Sequence, residues 1–381
     1  MPESWDSFET IKKDTELDIE LLKREVGKCF PFYDVRSIKN TVAFFCRVDK
    51  ESLEEKFDSL RRSLSEKGYV PLLRYEKGEH IIYIIKKPKR KEKPVWINIA
   101  LLIATIITTI ITGSILVQGH FDVWNMPNPL NILKPENLLK GAFLFALPLM
   151  SILIVHEMGH YFISRKHGIS TSLPFFIPVP PVLSFNIGTF GALISSRDPM
   201  PNKKALFDVG ISGPIAGFIV AIPVTVIGIA TAKIVPIVPF EDLPSGETVF
   251  GSSFLIDALA NLILDIPAGY TIDMNPILFA GWVGLLITSI NLLPAGQLDG
   301  GHIFRAVFGE KQKYIGWAAV GIMVLTGWIF FAIIIIFMMG MMHPPPLNDD
   351  TDLDIKRKLL FIVALAMLIL CYIPYPIHIV P

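Results

Sequence analysis

Charge is scarce in this sequence. Asp, Glu, Lys and Arg make up 18% of its 381 residues, and the 35 acidic side chains cancel the 35 basic ones. With no net positive field and no basic stripe interleaved with aromatics, nucleic-acid binding drops out as a function class. Cysteine is scarcer still. Cys29, Cys46 and Cys371 are too few and too scattered for a disulfide framework or a Cys-based zinc site, and they read as packing residues. The first ninety residues also lack the apolar core that a cleavable secretory leader needs, so insertion is expected to use the spans themselves. What is abundant is apolar surface. Hydrophobic residues reach 51%, in long uncharged runs, while charge gathers in the first hundred residues and in short patches between those runs. This composition indicates a multi-pass α-helical membrane protein with a soluble head.

The head, residues 1–93, shows small-domain patterning. Residues 41–48 read as a strand, and 49–67 carry Leu53, Phe57, Leu60 and Leu64 at helical spacing. Ser52 and Glu55 fit a capping box there, with Gly68 as the stop. Residues 69–74 and 80–86 read as two further strands around a turn at 76–79. The module is α/β and is expected to regulate or stabilise without chemistry of its own. A basic run at 86–93 then abuts the uncharged stretch 95–118, which places the head in the cytoplasm and sends the first span outward. Five more apolar runs follow in the region 94–381, at 138–164, 205–232, 276–293, 314–342 and 359–380. Each approaches the roughly 20 residues that a crossing helix requires, so about six spans are expected. Arg165, Lys166, Arg197, Lys203, Lys204, Arg305, Lys311 and Lys313 then fall inside, and the purely acidic loop 235–275 falls outside. Lys356, Arg357 and Lys358 dissent, because six alternating spans would put them outside.

Within the second run stands His156-Glu157-Met158-Gly159-His160. Two imidazoles one helical turn apart share a face and can grip one zinc ion, and the adjacent carboxylate can take a proton from an attacking water. An ionisable cluster inside a span needs a partner or a wet cavity, and a dication is such a partner. Catalytic zinc wants a third protein ligand. None of the other histidines, His80, His120, His167, His302, His343 and His378, makes a metalloprotease spacing with this pair. Asp299 is the better candidate. It lies in Asn291-Leu292-Leu293-Pro294-Ala295-Gly296-Gln297-Leu298-Asp299-Gly300-Gly301, where Pro294 and Gly296 should end or unwind the fourth run and the paired glycines permit close backbone approach. Unwound backbone at membrane depth is tolerated only where it lines a cavity or is buried in protein.

The HEMGH and NLLPAGQLDGG segments together resemble the site-2 protease family of intramembrane zinc metalloproteases, over roughly residues 95–309. The resemblance implies that His156, His160 and Asp299 hold one Zn²⁺ per chain and that Glu157 is the catalytic base. It also implies a membrane-spanning protein substrate cut within the bilayer, in regulated intramembrane proteolysis. Asn291 and Pro294 match the family's residues ahead of the aspartate, where the asparagine helps bind substrate or steady an oxyanion; a structural amide that satisfies the broken helix fits equally. Residues 185–194, with Gly188 and Gly191, are apolar and too short to span. In relatives this region resembles a re-entrant loop or β-hairpin whose edge could pair with an unwound substrate, the other reading being a plug over the metal. Gly210, Gly213 and Gly217 put small residues on one face of the third run, for packing against the motif helix. This segment, with Gly188–Ala192 and Phe207–Val209, is similar to the plant chloroplast branch of the family and its prokaryotic relatives.

Other features carry less. The Met338, Met339, Met341, Met342 cluster reads as a flexible apolar span end, His167 as an interfacial surface residue, and 254–266 as a segment on the outer membrane surface, while for His302 a place behind the metal is the lesser of two readings, the bland one being favoured. Two rivals remain: a prenyl-protein-processing zinc protease, which would want a glutamate third ligand, and a metal transporter or non-catalytic metal-binding membrane protein. The expected residence is the cell membrane, with the N-terminus cytoplasmic.

Overall fold

The computed structural model describes residues 17–38, 40–87, 94–119, 128–181, 187–196, 198–244, 248–341 and 343–380. Residues 88–93 of the basic run, His120, Phe185, Asn186, Arg197, Met342 and the side chains of Met338 and Met339 lie outside the described set. The chain forms two compact units. One gathers the first 92 residues with Pro199–Ala205 and Pro345–Leu353, and the other holds the remaining sequence.

In the first unit, α1 (Ile19–Cys29), β1 (Phe32–Ile38), β2 (Thr41–Cys46), α2 (Leu53–Glu66), β3 (Tyr69–Glu76) and β4 (Glu79–Lys86) build a four-stranded antiparallel sheet of order β1-β2-β4-β3 covered by two helices. Leu53, Phe57, Leu60 and Leu64 are all buried against Val42, Phe44, Ile82 and Ile84, each such side chain contributing about 1.5–3 kcal/mol. Lys77 and Gly78, both with positive φ, make the tight β3–β4 turn. The capping box does not form: the Ser52 side chain makes no cap bond, and its hydroxyl donates to Asp49 at 2.8 Å. The outer edge of β3 is covered by chain from far downstream. Leu73 N–H donates to the Leu347 carbonyl at 2.8 Å, and Leu347 N–H in turn donates to the Met200 carbonyl at 2.8 Å. Arg74 also donates to the carbonyls of Pro346 and Leu347, both at 3.0 Å.

Glu25 of α1 is a buried charge of this unit, 3% exposed. Lys28 at 2.8 Å, Lys67 at 2.9 Å and the Ser63 hydroxyl at 2.8 Å hold its carboxyl at about 2, well below its ordinary 4.5. A depressed carboxyl pKa stabilises the fold above the ordinary value and ceases to do so as pH falls through the folded one. The α1–α2 contact is therefore expected to loosen as pH drops from about 4.5 toward about 2. Hydrogen exchange of the α1 segment, corrected for its intrinsic rate, checks this, and Glu25→Gln should flatten the dependence across that window.

The second unit is helical. Its elements are α3 (Val95–Leu116), α4 (Pro135–Lys166, with a wide-turned stretch at Ala142–Ala146), the hairpin β5 (Phe175–Pro178) with β6 (Thr189–Leu193), and α5 (Lys203–Ala230, whose first three residues belong to the other unit). After these come β7 (Ile234–Pro236), β8 (Thr248–Phe250), α6 (Phe254–Ile263), β9 (Tyr270–Ile272), α7 (Pro276–Leu292) and α8 (Asp299–Phe308). The chain ends with α9 (Gln312–Leu325), α10 (Ile329–Ile334, continued by the wider turn Ile335–Met339), α11 (Ile355–Cys371) and β10 (Ile377–Ile379). Among the described residues α3, α4 and α5 are long and apolar enough to cross a membrane, while α6 and α7 are shorter apolar helices. α3 and α4 cross at backbone contact, since a Cβ on Gly113 would lie 2.4 Å from the Gly141 carbonyl.

Two expected spans need correction. Residues 314–342 are not one helix: the chain breaks at Thr326–Trp328, with Gly327 at φ +82°, and folds back as the α9–α10 hairpin. Residues 359–380 are not one helix either, because α11 runs from Ile355 to Cys371 and the sequence beyond it, with Pro374 and Pro376, leads into β10, which pairs with β8. The hairpin turn meets the C-terminal end of α11. Trp328 Nε1 donates to the Ile373 carbonyl at 2.9 Å and the Tyr375 hydroxyl to the Leu325 carbonyl at 2.9 Å. The other end of α11 meets the first turns of α5 through Arg357 and Asp208. Arg357, in the first turn of α11, therefore stands at the end of the bundle where α5 begins.

Candidate metal centre

Helical spacing alone puts His156 and His160 on one face of α4, and the structure brings their Nε2 atoms to 3.2 Å. α7 stops at Leu292, and the chain through Pro294 and Gly296, at φ +52°, reverses into α8. This turn works because the next helix begins on glycines. A Cβ on Gly300 would come within 2.1 Å of the Leu292 carbonyl, and one on Gly301 within 2.2 Å of the Gly296 carbonyl. Asp299, first residue of α8, is thereby delivered to the histidines, with Oδ2 at 3.3 Å from His156 Nε2 and 3.2 Å from His160 Nε2.

These distances test the fit of a zinc ion. Bonds of about 2.0–2.1 Å in a tetrahedron place neighbouring ligand atoms about 3.3 Å apart. The observed triangle has sides of 3.2, 3.2 and 3.3 Å, so one ion can satisfy all three donors and keep a fourth position open. Two imidazole nitrogens and a carboxylate oxygen suit zinc. His156, His160 and Asp299 are the one group of this kind among the described residues, and the two histidines are 4% and 9% exposed. Glu157, beside them on α4, is 8% exposed.

The outer face of the site is made by α5. His160 Nδ1 donates to the Val209 carbonyl at 2.8 Å, leaving Nε2 for the metal. A Cβ on Gly213 would stand 2.0 Å from His160 Nε2, and one on Gly217 3.1 Å from His156 Cβ. In the other direction, a Cβ on Gly159 would stand 2.6 Å from the Ser212 carbonyl. Gly213 and Gly217 of α5 are thus packing residues whose missing side chains make room for the two histidines. Asn291, in the last turn of α7, points its amide at His156, with Nδ2 at 3.4 Å from Nε2.

The hairpin residues are placed differently. Gly188, at φ +82°, rests on α3, where a Cβ would meet Thr109 Cα at 2.7 Å, and its carbonyl accepts from the Thr108 hydroxyl at 2.7 Å. Gly191, at φ +86°, faces open space. β5 pairs with β6 in antiparallel register, Phe175 opposite Leu193, and Asn98 of α3 donates to the Leu173 and Pro174 carbonyls. On β6, Phe190 is 71% and Leu193 59% exposed.

Sequence reasoning missed the carbonyl of Val209, which carries no side-chain signal. His167 is partly exposed, and its Nε2 lies 2.9 Å from Asp208 Oδ2. His302 stands behind Asp299 with its ring 4.4 Å from that of His343, outside the ligand triangle.

The chain resembles known proteins over the region that holds this centre. The model of peptidase family M50 matches residues 144–335, which contain all four motif residues. A "Probable zinc metalloprotease EGY2, chloroplastic" from Oryza sativa subsp. indica is 30% identical over 303 residues, covering 76% of this chain and 52% of the relative. The Arabidopsis thaliana protein of the same description is 32% identical over 250 residues, 63% of this chain and 43% of its own length. A "Probable zinc metalloprotease EGY1, chloroplastic" from Oryza sativa subsp. japonica is 27% identical over 329 residues, 84% of this chain and 53% of the relative. The chain thus spans about half the length of these curated relatives. No solved structure matches it.

Proposed function

We propose that this chain, which belongs to peptidase family M50, is an intramembrane endopeptidase that hydrolyses peptide bonds in the membrane-spanning segment of a protein substrate. The observation that carries the reading is the triangle of His156 Nε2, His160 Nε2 and Asp299 Oδ2, with a buried glutamate beside it on an apolar helix. These three residues would hold one zinc ion per chain. Zinc, when bound, supplies Lewis acidity for the hydrolysis. Glu157 accepts a proton from the attacking water on its carboxylate and gives one to the leaving amine nitrogen. Asn291 Nδ2 faces the same space and donates to the oxygen of the scissile carbonyl. The Val209 carbonyl keeps His160 in one tautomer.

A helical substrate segment hides its peptide bonds and must unwind before attack. The outer edge of β6, held by β5 and α3, offers main-chain groups to the unwound stretch, with Gly188 and Gly191 shaping that strand and Phe190 and Leu193 presenting apolar surface. This favours substrate pairing over a plug. The crossing pattern that follows from the helix ends is α3, α4, α5, α7, the α9–α10 hairpin and α11. Lys356, Arg357 and Lys358 then join Arg165, Lys166, Arg305 and Lys311 on one side, which the basic bias makes the cytoplasmic side, together with the N-terminal domain of residues 1–93 and the junction to the protease domain 94–381. Residence in the cell membrane is part of this reading.

Detergent-purified protein incubated with single-span substrates should cut within their apolar segment. A zinc chelator should stop the reaction, and restoring zinc should recover it. Mass spectrometry of the fragments reads the site; cleavage that survives full zinc removal would refute the assignment.

A further inference from the structure

The bundle end nearest the metal centre carries an ion cluster that the proposed chemistry does not use. Arg357, in the first turn of α11, grips Asp208 of α5 with both arms of its guanidinium, Nε to Oδ1 at 2.7 Å and Nη2 to Oδ2 at 2.5 Å. Its remaining nitrogen, Nη1, reaches Asp354 Oδ2 at 2.5 Å, and Asp354 Oδ1 accepts the Arg357 backbone N–H at 3.0 Å. His167, just past the end of α4, also meets Asp208 Oδ2 at 2.9 Å. Three elements distant in sequence are tied at one carboxylate.

That carboxylate belongs to the helical turn that touches two of the three metal-site residues. Val209, the next residue, accepts His160 Nδ1 on its carbonyl at 2.8 Å, and the same oxygen accepts the Ser212 hydroxyl at 2.9 Å. Gly210, one further on, lies so close to α8 that a Cβ there would come within 2.9 Å of the Asp299 carbonyl. A small rotation of residues 208–210 would turn the His160 ring and press on Asp299. A planar, two-point fork resists such a rotation in a way that a single ammonium contact cannot.

We propose that Arg357 is a positioning residue for the metal centre: acting through Asp208 and the Val209 carbonyl, it fixes the orientation of the His160 imidazole. The inference rests on the reading of His160 as a zinc ligand. Outer partners of metal-bound histidines commonly change metal affinity or activity by about 10–100-fold when removed. Arg357 acts one residue further out, and about tenfold is expected.

The test uses the full-length protein. Zinc release to a chromogenic chelator, and the visible absorption of the cobalt-substituted protein, are compared for wild type, Arg357→Gln, Arg357→Lys, Asp208→Asn and His160→Ala. Arg357→Gln and Asp208→Asn should release zinc about tenfold faster and shift the cobalt bands, with kcat reduced at unchanged KM. Arg357→Lys, keeping charge and one contact, should fall between Gln and wild type. Native release and native bands in Arg357→Gln would overturn the proposal. So would equal impairment in Lys and Gln, because loss of the fork would then not be the cause. If Arg357→Gln fails to fold, Asp208→Asn decides, since it removes the carboxylate through which the fork acts, and unchanged cobalt bands there would overturn the proposal. Full zinc content in His160→Ala would instead bring down the underlying ligand assignment.

Discussion

Glu157→Gln yields a protein that keeps its zinc and does not cut. Glutamine preserves shape but cannot accept a proton at neutral pH, so the water loses its base while the triangle of His156, His160 and Asp299 stays intact. General-base catalysis is worth about 10²–10⁴-fold in rate, and the loss should fall in that range. Zinc content measured by mass spectrometry against protein concentration should match wild type, and cleavage of a single-span substrate should be the quantity that drops. A retained rate would remove Glu157 from the mechanism. Loss of zinc together with activity would move Glu157 from base to structural support. The same variant separates a protease from a metal carrier, since a carrier has no use for a proton acceptor beside its ligands.

Gly213→Ala is expected to be nearly as damaging, although it touches no reacting atom. Its new Cβ would stand 2.0 Å from His160 Nε2, far inside van der Waals contact and at the atom assigned to the metal. Either the imidazole swings away or α5 shifts off α4, and each breaks the triangle. Zinc affinity should fall by at least about tenfold, in line with other disturbances of histidine ligands, and cleavage should fall with it. The effect should be graded by geometry. Gly217→Ala meets His156 Cβ at 3.1 Å and needs only a small adjustment, whereas Gly321→Ala on α9 meets nothing within 4 Å and should be neutral. Zinc titration of the three variants checks the order. Equal behaviour of the variants at 213 and 321 would contradict the placement of α5 over the site.

Much of the architecture was legible where local chemistry repeats at short range. The buried side of α2 was readable because Leu53, Phe57, Leu60 and Leu64 recur at helical spacing, and the end of α7 because Pro294 and Gly296 disrupt a helix wherever they occur. The hairpin at residues 326–328 was not readable. A single glycine in a long apolar run is ordinary in membrane helices, and the break is stabilised by bonds from Trp328 to Ile373 and from Tyr375 to Leu325, partners about fifty residues away. The charge pattern did register the problem. Lys356–Lys358 sat on the wrong side of a six-span scheme, and the fold brings Arg357 against Asp208 near the start of α5. In the head, the Ser52 and Glu55 spacing suggested a reciprocal cap that Asp49 displaced, because an Asx-type turn offered Ser52 a nearer acceptor.

By itself the sequence determined the chemistry: a histidine pair at i and i+4 with an adjacent glutamate, and an aspartate on a broken helix, define a donor set whatever surrounds them. Only the tertiary structure decided which backbone and charged groups hold that set in place, namely the Val209 carbonyl, the glycine face of α5 and the Arg357–Asp208 fork. The reason is physical. Ligand identity is a property of side chains and survives in the order of residues. The rigidity of a metal site comes from contacts between helices that are far apart in the chain, and these exist only once the chain has packed.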